Sequence, residues 1–345
     1  MAKIAIIGNQ NSGKSTIATN LGKKTNSSDI VTYESKKNND VITTIDPVGY
    51  PKSIKPLIVA IELSDIILIC IPPEGPDSFT GECIVLLDLL KHDRGIFVLT
   101  KADTSYDYAQ EQLKNKIKQI IKDTSLNNWE FINVSSETHE GMNELRDLIS
   151  SLNKKVEIEN RKLDEKEPRV IIDQCFNVTG IGCVALGIVK QGQIKLKDKL
   201  NVYPINKNVE LRSIQVHDVN EQEASTGNRV GLALKNIQAK EIERGFILSK
   251  KENVSSEFSL NFYTSKFTKS VCIGDVLHVF NKLQTSPVRV KGIKVNGSEQ
   301  NSLSPGSECI LDITAEKEIA FTKSDMFILS NLDEKQRIVG VGQVV

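Results

Sequence analysis

A glycine-rich segment near the N-terminus restricts what this chain can fold into. Gly8-Asn9-Gln10-Asn11-Ser12-Gly13-Lys14-Ser15 follows the apolar run 4–7 and precedes a helix-compatible stretch that starts at Thr16. This is the pattern G-x-x-x-x-G-K-[ST], whose successive backbone N–H groups form a nest for phosphate at a helix N-terminus. Lys14 is expected to reach the outer phosphates and Ser15 to bind Mg²⁺. The segment therefore predicts an α/β domain that binds a nucleotide.

A second motif, Thr100-Lys101-Ala102-Asp103, indicates which base is bound. It follows the apolar run 96–99 and resembles the guanine-recognition pattern [NT]-K-x-D of regulatory GTPases. The Asp103 carboxylate can accept hydrogen bonds from guanine N1–H and the 2-amino group, and adenine lacks that pair of donors. The Lys101 stem is expected to lie flat against the purine. The motif favours GTP and GDP, and it disfavours the alternative of a P-loop kinase or ATPase.

Two further motifs fit the same site. Asp46-Pro47-Val48-Gly49 follows the strand-like run 41–45 and matches D-x-x-G. Asp46 is therefore expected to contact Mg²⁺ through water, and the Gly49 N–H to meet the γ-phosphate. An ordinary Pro-Gly turn is the structural alternative. Ser135-Ser136-Glu137 follows the run 131–134 and fits the loop whose backbone N–H reads guanine O6. Ser15 and Asp46 are the predicted metal ligands.

Composition limits the partners and the location. The 44 basic and 44 acidic residues give a formal net charge of zero, so no global electrostatic argument supports a nucleic-acid or membrane partner. The six cysteines form no C-x-x-C pair and the four histidines are scattered, which indicates reduced core thiols and no metal cluster. There is no signal-peptide pattern and no apolar run of membrane-spanning length. We expect a cytoplasmic monomer that makes no membrane contact.

The apolar periodicity changes once along the chain. Across 1–152, strands alternate with helical stretches, which predicts a mostly parallel sheet with the site motifs at the C-terminal ends of its strands. Residues 153–168 are charge-dense and end in proline, which predicts a linker, with a short helix as the alternative. Short strands and glycines then predict antiparallel β-barrels at 169–252 and 253–345. The expected fold is a multidomain chain in which an α/β P-loop domain precedes two antiparallel β-barrels.

The first predicted barrel carries a more specific likeness. Gly180-Ile181-Gly182-Cys183-Val184, Gly227-Asn228-Arg229-Val230-Gly231 and Arg244-Gly245 fit a barrel pattern of the elongation factor Tu-type translation GTPases. The chain most resembles the selenocysteine-specific elongation factors of that family, particularly archaeal ones. The resemblance covers residues 1–250 in detail and the remainder by architecture. It implies a GTP-binding protein that acts on aminoacyl-tRNA and the ribosome, with the first barrel holding the aminoacylated end.

Departures from the family pattern bear on catalysis. The family motif D-x-P-G-H reads Asp46-Pro47-Val48-Gly49-Tyr50 here, so Tyr50 stands where the family uses a histidine to orient the attacking water. Tyr50 is therefore the candidate catalytic residue. The stretch between Ser15 and Asp46 is short and has no G-I-T pattern to mark an Mg²⁺-binding threonine. Thr25, Ser27 and Thr32 are the candidates for that role.

These departures leave two functions open. One is a translation factor with weak GTP hydrolysis. The alternative is a non-catalytic nucleotide-binding regulatory or assembly module that kept the fold and lost the GTPase cycle. The family P-loop also carries Asp and His where this chain has Asn11 and Ser12. Asparagine at this position binds K⁺ in some other GTPases with the pattern G-x-x-N-x-G-K-S, and in others it does not, so K⁺ is a further candidate cofactor.

Overall fold

The chain divides into two structural units, Met1–Glu157 and Ile158–Val345. The computed structural model describes residues 3–26, 28–37 and 40–345. None of the helices in these ranges is long and apolar enough to cross a membrane.

A seven-stranded sheet with helices forms the first unit. Its strands are β1 (Lys3–Gly8), β2 (Lys23–Lys24), β3 (Val31–Lys37), β4 (Asp40–Asp46), β5 (Ile66–Ile71), β6 (Gly95–Thr100) and β7 (Glu130–Val134). The helices are α1 (Lys14–Leu21), α2 (Lys55–Leu63), α3 (Ser78–Leu89), α4 (Asp107–Ile121) and α5 (Met142–Leu163). The strand order is β2-β3-β4-β1-β5-β6-β7, and the five strands from β4 to β7 run parallel. Every residue of β1, β5 and β6 is buried, as expected for strands covered on both faces. The prediction of a mostly parallel sheet is confirmed.

The short stretch between Ser15 and Asp46 extends this sheet as antiparallel strands. The register of β3 with β4 runs from Val31↔Asp46 to Lys37↔Asp40, and β2 pairs with β3. The hydroxyl groups of Thr25 and Thr32 lie 2.8 Å apart and bond each other. Of the three hydroxyl residues considered as Mg²⁺ ligands, two therefore pair with one another, and Ser27 lies outside the described residues.

Helix α5 extends into the segment predicted as a linker. It continues to Leu163, so most of residues 153–168 follow the helical alternative. Leu145, Ile149 and Val156 are buried on this helix, at spacings of four and seven residues that place them on one face. The division between the two units falls inside α5.

Two antiparallel barrels make up most of the second unit. The strands of the first are β8 (Arg169–Val178), β9 (Gly182–Gln191), β10 (Ile194–Lys195), β11 (Lys199–Tyr203), β12 (Lys207–Val216), β13 (Val219–Glu221), β14 (Glu223–Ala224), β15 (Arg229–Lys235) and β16 (Ile247–Ser249). Six of them close a ring in the order β11-β16-β8-β9-β15-β12, since β12 pairs with β11. A single apolar cluster fills the interior of this ring.

The second barrel closes in the same way. Its strands are β17 (Asn253–Thr264), β18 (Val271–Cys272), β19 (Val276–Asn281), β20 (Gln284–Val295), β21 (Ser298–Glu299), β22 (Ser302–Leu303), β23 (Glu308–Phe321), β24 (Phe327–Ser330) and β25 (Ile338–Val344). The ring order is β19-β24-β25-β17-β23-β20, and β20 returns to β19. The three predicted parts of the fold, an α/β P-loop domain and two antiparallel barrels, are therefore present in the predicted order.

A buried arginine joins the two barrels. Arg169, at the start of β8, donates hydrogen bonds of 2.8 and 2.6 Å to the two carboxylate oxygens of Asp325, and its Nε donates to Glu252 at 2.9 Å. Burial acts to raise the pKa of Asp325, but the hydrogen bonds and charge of Arg169 outweigh it and the pKa lies below its usual value. Burial raises the pKa of Glu252 despite the same arginine. Gly245 of the first barrel lies close to the backbone of the second barrel. A Cβ at this position would lie 2.5 Å from backbone atoms of Leu283 and Gln284.

Candidate functional site

The glycine-rich segment forms a tight turn between β1 and α1. Gly8, Asn11 and Gly13 have φ values of 149°, 64° and 81°, a region that glycine and asparagine tolerate best. A Cβ on Gly8 would lie 2.6 Å from the carbonyl oxygen of Cys70. Lys14 begins α1 and its Nζ donates to the Asn9 carbonyl at 3.0 Å. The turn therefore has the strand, loop and helix N-terminus that the sequence predicted for a phosphate site.

The remaining loop residues differ in their exposure. Gln10, Asn11, Ser15 and Thr16 are exposed, and Ser12 is buried. The Gln10 N–H donates to the Asn9 side chain at 2.6 Å. The loop therefore offers solvent a polar rim of side chains around the helix N-terminus.

Ser15 and Asp46 come together beside this loop. The Ser15 hydroxyl donates to Asp46 Oδ2 at 2.6 Å. Asp46 is fully buried, and among the described residues its Oδ1 has no hydrogen-bond partner. Burial raises the pKa of Asp46, while the Ser15 hydrogen bond and the Lys14 charge act in the opposite direction. A hydroxyl and a carboxylate with one unsatisfied oxygen match the hard oxygen ligands that Mg²⁺ takes, so both predicted metal ligands fit the ion.

The residues after Asp46 are held by other contacts. The Gly49 N–H, expected to meet the γ-phosphate, donates to the Asp29 carbonyl at 3.2 Å. Tyr50 is only 2% exposed, and its hydroxyl lies 2.8 Å from the Phe79 carbonyl oxygen and 3.0 Å from Glu82 Oε2. Burial raises the pKa of this phenol, and the nearby Cys83 and Glu82 add to the rise. In this arrangement the Tyr50 hydroxyl is hydrogen-bonded to residues of α3. To orient the water that attacks the γ-phosphate, the hydroxyl would have to break these contacts.

The candidate base site lies at the end of β6. Thr100 is buried, and its hydroxyl donates 2.8 Å to the carbonyl of Ser12, which ties this loop to the phosphate loop. Lys101 takes the left-handed conformation at φ 55° and is half-buried, and Asp103 is exposed. The Asp103 carboxylate is therefore open to a ligand at the edge of the sheet.

The third predicted segment follows β7. The Ser135 side chain is buried and its hydroxyl accepts from the N–H groups of Glu137 and Thr138 at 3.2 and 3.1 Å. Ser136 is half-buried and Glu137 is exposed. Because β6 and β7 are parallel neighbours, this loop and the loop after Thr100 end at the same edge of the sheet.

Two further residues connect these loops and were not predicted. The Gln110 amide donates to the carbonyls of Ala102 and Ser105 at 2.9 and 3.1 Å. The Asn133 amide donates to Gln110 Oε1 in turn. Gln110 lies among other polar residues of helix α4 and Asn133 lies on β7, and no local sequence signal distinguishes them from solvent-facing amides.

Similarity to known proteins agrees with this arrangement. Residues 182–249 match the family described as Elongation factor Tu domain 2. An uncharacterized protein of Methanocaldococcus jannaschii is 31% identical over 95% of this chain and 96% of its own length. The selenocysteine-specific elongation factor of the same organism is 29% identical over 88% of this chain and 68% of its own length. The chain belongs to the elongation factor Tu-type translation GTPases. It stands close to the selenocysteine-specific elongation factors.

A solved structure supports the same placement within this elongation factor family. The crystal structure of translation elongation factor SelB from Methanococcus maripaludis, in complex with the GTP analogue GppNHp, has a TM-score of 0.85 at 27% identity. The match covers 99% of this chain and 78% of that one. The resemblance proposed from the barrel motifs is confirmed, and the elongation-factor fold extends over the whole chain.

Proposed function

We propose that this chain binds GTP and GDP with Mg²⁺ at the β1–α1 turn. The observation that carries the proposal is the contact of Ser15 with the buried Asp46, whose second carboxylate oxygen lacks a partner among the described residues. Lys14 lies at the same helix N-terminus to meet the outer phosphates. Bound Mg²⁺ supplies positive charge that neutralises the phosphate oxygens. Ser15 and Asp46 would hold it, and the backbone N–H groups of the turn would hold the phosphates.

Replacing Asp103 by asparagine is expected to change the base preference. The amide turns one hydrogen-bond acceptor into a donor, so guanine binding weakens by about 2 to 3 kcal/mol and xanthine nucleotides gain. Titration of fluorescent GDP, XDP and ATP into the wild type and the variant measures this. Asp107→Asn, an exposed aspartate at the start of α4, is the matched control and should behave as the wild type. Equal wild-type affinity for ATP and GDP would overturn the assignment of a guanine site.

Asn11 gives a second expected result if its amide helps bind K⁺. We expect GTP turnover to be at least about threefold faster in K⁺ than in Na⁺ buffer, since a bound cation stabilises the developing phosphate charge. Asn11→Gly suits the left-handed φ of 64° and removes only the amide, so it should abolish the difference between the two buffers. Identical wild-type rates in K⁺ and Na⁺ would remove K⁺ as a cofactor.

A macromolecular ligand is proposed for the second unit. We infer that the first barrel binds the aminoacylated end of a tRNA and that the chain delivers it to the ribosome in the cytoplasm. The support is the match of residues 182–249 to Elongation factor Tu domain 2 and the likeness to a selenocysteine-specific elongation factor. Capture from cell extract with GTP-loaded and GDP-loaded protein, followed by sequencing of bound RNA, tests it. We expect tRNA enriched with GTP, and equal RNA recovery in the two states would contradict carriage.

The contacts of Tyr50 favour a second candidate. Because its hydroxyl bonds to Phe79 and Glu82, we propose as the second candidate a nucleotide-binding regulatory or assembly module without a GTPase cycle. Multiple-turnover hydrolysis with purified ribosomes separates the two functions. Ribosome-dependent turnover supports the translation factor, and nucleotide binding without turnover supports the module.

A further inference from the structure

Two cysteines lie side by side in the first barrel. The sulfur atoms of Cys175 on β8 and Cys183 on β9 are 3.4 Å apart, and both are free thiols. Cys175 pairs with Ala185 and Cys183 pairs with Asn177 across the two strands. The two cysteines therefore lie on the same face of the sheet, at diagonal positions. Bonded disulfide sulfurs are about 2.05 Å apart, so the gap to close is only about 1.4 Å.

Exposure separates this pair from the other cysteines. Cys175 is half-buried, so part of the residue is in contact with solvent, and Cys183 is only 3% exposed. Cys70 and Cys83 are 0% exposed and Cys309 is 8% exposed, so a small disulfide in solvent does not reach these three thiols. Cys272 is exposed and stands alone, because it has no neighbouring thiol in the described structure. Cys175 is thus the accessible thiol that has a second thiol within reach.

We propose that Cys175 and Cys183 form a redox-active dithiol that small disulfide molecules oxidise to an intrachain disulfide. The Cys175 thiolate attacks one sulfur of the small disulfide, releases one small thiol and becomes a mixed disulfide. The Cys183 thiolate then attacks the Cys175 sulfur and releases the second small thiol. Two electrons pass to the small disulfide, and the two cysteine protons end on the two released thiols.

The two cysteines belong to the second structural unit, and the nucleotide-site residues belong to the first. Cys183 lies in the segment matched to Elongation factor Tu domain 2, and Cys175 follows two residues after Asp173, which pairs with Arg244 at 2.8 Å. The disulfide would fix β8 to β9 near the turn that joins them. No step requires GTP, tRNA or Mg²⁺, so the test of the dithiol does not depend on whether the proposed function is correct.

Oxidised glutathione tests the proposal on the full-length chain. The native protein is incubated with it, quenched with acid, alkylated after denaturation and mapped by peptide mass spectrometry. We expect a disulfide that joins the peptides containing Cys175 and Cys183, with a mass lower by two hydrogen atoms, and a mixed disulfide at Cys272. Cys183→Ser removes the second thiol, so a lasting mixed disulfide should accumulate at Cys175. Cys272→Ser is the control and should still form the intrachain bond.

Modification at Cys272 shows that the reagent has acted, which makes a negative result decisive. If Cys272 is fully converted while Cys175 and Cys183 stay reduced in the wild type, the proposal is wrong. A persistent mixed disulfide at Cys175 in the wild type would also overturn it, because Cys183 would then fail to displace the small thiol. The wild-type map gives the answer even if a serine variant does not fold.

Discussion

Arg169→Ala is expected to lower the free energy of unfolding of the two-barrel unit by about 3 to 5 kcal/mol. The arginine is 5% exposed, and its removal takes the guanidinium away from the buried Asp325 and Glu252, while Lys282 stays 4.0 Å from Asp325. Breaking a buried pair on one side costs far more than the pair contributes, because an uncompensated charge remains. The two-barrel unit of the variant should therefore unfold at a clearly lower urea concentration than the same unit of the wild type.

Urea denaturation of the full-length chain measures this effect. Circular dichroism follows the strands, and the fluorescence of Trp129, the single tryptophan, reports on the P-loop unit. Lys317→Ala is the matched control, because Lys317 also joins the two barrels, through Glu243 at 2.8 Å, but both side chains are 61% exposed. We expect the control to leave the transition nearly unchanged. Equal midpoints for Arg169→Ala and wild type would show that the buried cluster does not hold the barrels.

The two carboxyl groups of this cluster make stability depend on pH in opposite directions. Asp325 has a lower pKa in the folded than in the unfolded chain, so its contribution is present above the unfolded value of about 3.9. That contribution is lost as the pH falls through the folded pKa. Glu252 has a raised pKa, so its contribution is fully present below the unfolded value of about 4.3 and is lost as the pH rises through the folded pKa. When the free energy of unfolding is measured at a series of acid pH values, Asp325→Asn should therefore lose less stability than the wild type as the pH falls.

The sequence predicted the elements of the fold because their periodicity is local. The buried runs of β1, β5 and β6 and the alternating strands of the barrels carry their own pattern. Helix α5 was harder to predict, since charged residues occupy its exposed positions and the face of Leu145, Ile149 and Val156 is sparse. The interpretation of residues 153–168 as a linker rested on charge density, which a solvated helix face shares.

The candidate site could be predicted only where a sequence motif is typical of one kind of ligand. The phosphate turn, Asp46 and Asp103 follow from spacing, because backbone geometry and hydrogen-bond chemistry fix the residue types there. The bond from Thr100 to Ser12 spans 88 residues, and the link from Arg169 to Asp325 spans 156. Pairings over such distances depend on the tertiary fold and leave no local pattern. The position of the Tyr50 side chain is of the same kind, because its partners come from α3.

We expect slow GTP hydrolysis that ribosomes stimulate weakly or not at all. Much of the rate in phosphoryl transfer comes from positioning and charge stabilisation. Tyr50 replaces the histidine that orients water in the resembled family, and here its hydroxyl contacts Phe79 and Glu82 on α3. A missing or misplaced orienting group should cost about two orders of magnitude in rate or more.

Two substitutions at Tyr50 separate its structural role from a catalytic one. Tyr50→Phe removes the hydroxyl and keeps the ring against Phe79, which lies edge-on at 6.2 Å, so the hydrolysis rate should stay within about twofold of wild type while stability falls. Tyr50→His should restore little activity, because the hydroxyls of Thr25 and Thr32, two of the three candidates for the missing Mg²⁺ ligand, bond each other.

Single-turnover GTP hydrolysis, with and without ribosomes, measures these rates for the wild type and both variants. Thermal unfolding of the same samples reports the structural part of each change. A tenfold or larger drop in rate for a well-folded Tyr50→Phe would show that the hydroxyl acts on the reaction. Fast ribosome-stimulated hydrolysis by the wild type would show that Tyr50 leaves α3 when GTP is bound and replaces the family histidine. In that case the contacts of Gly49 with Asp29 and of Tyr50 with α3 would describe the resting arrangement of a working switch.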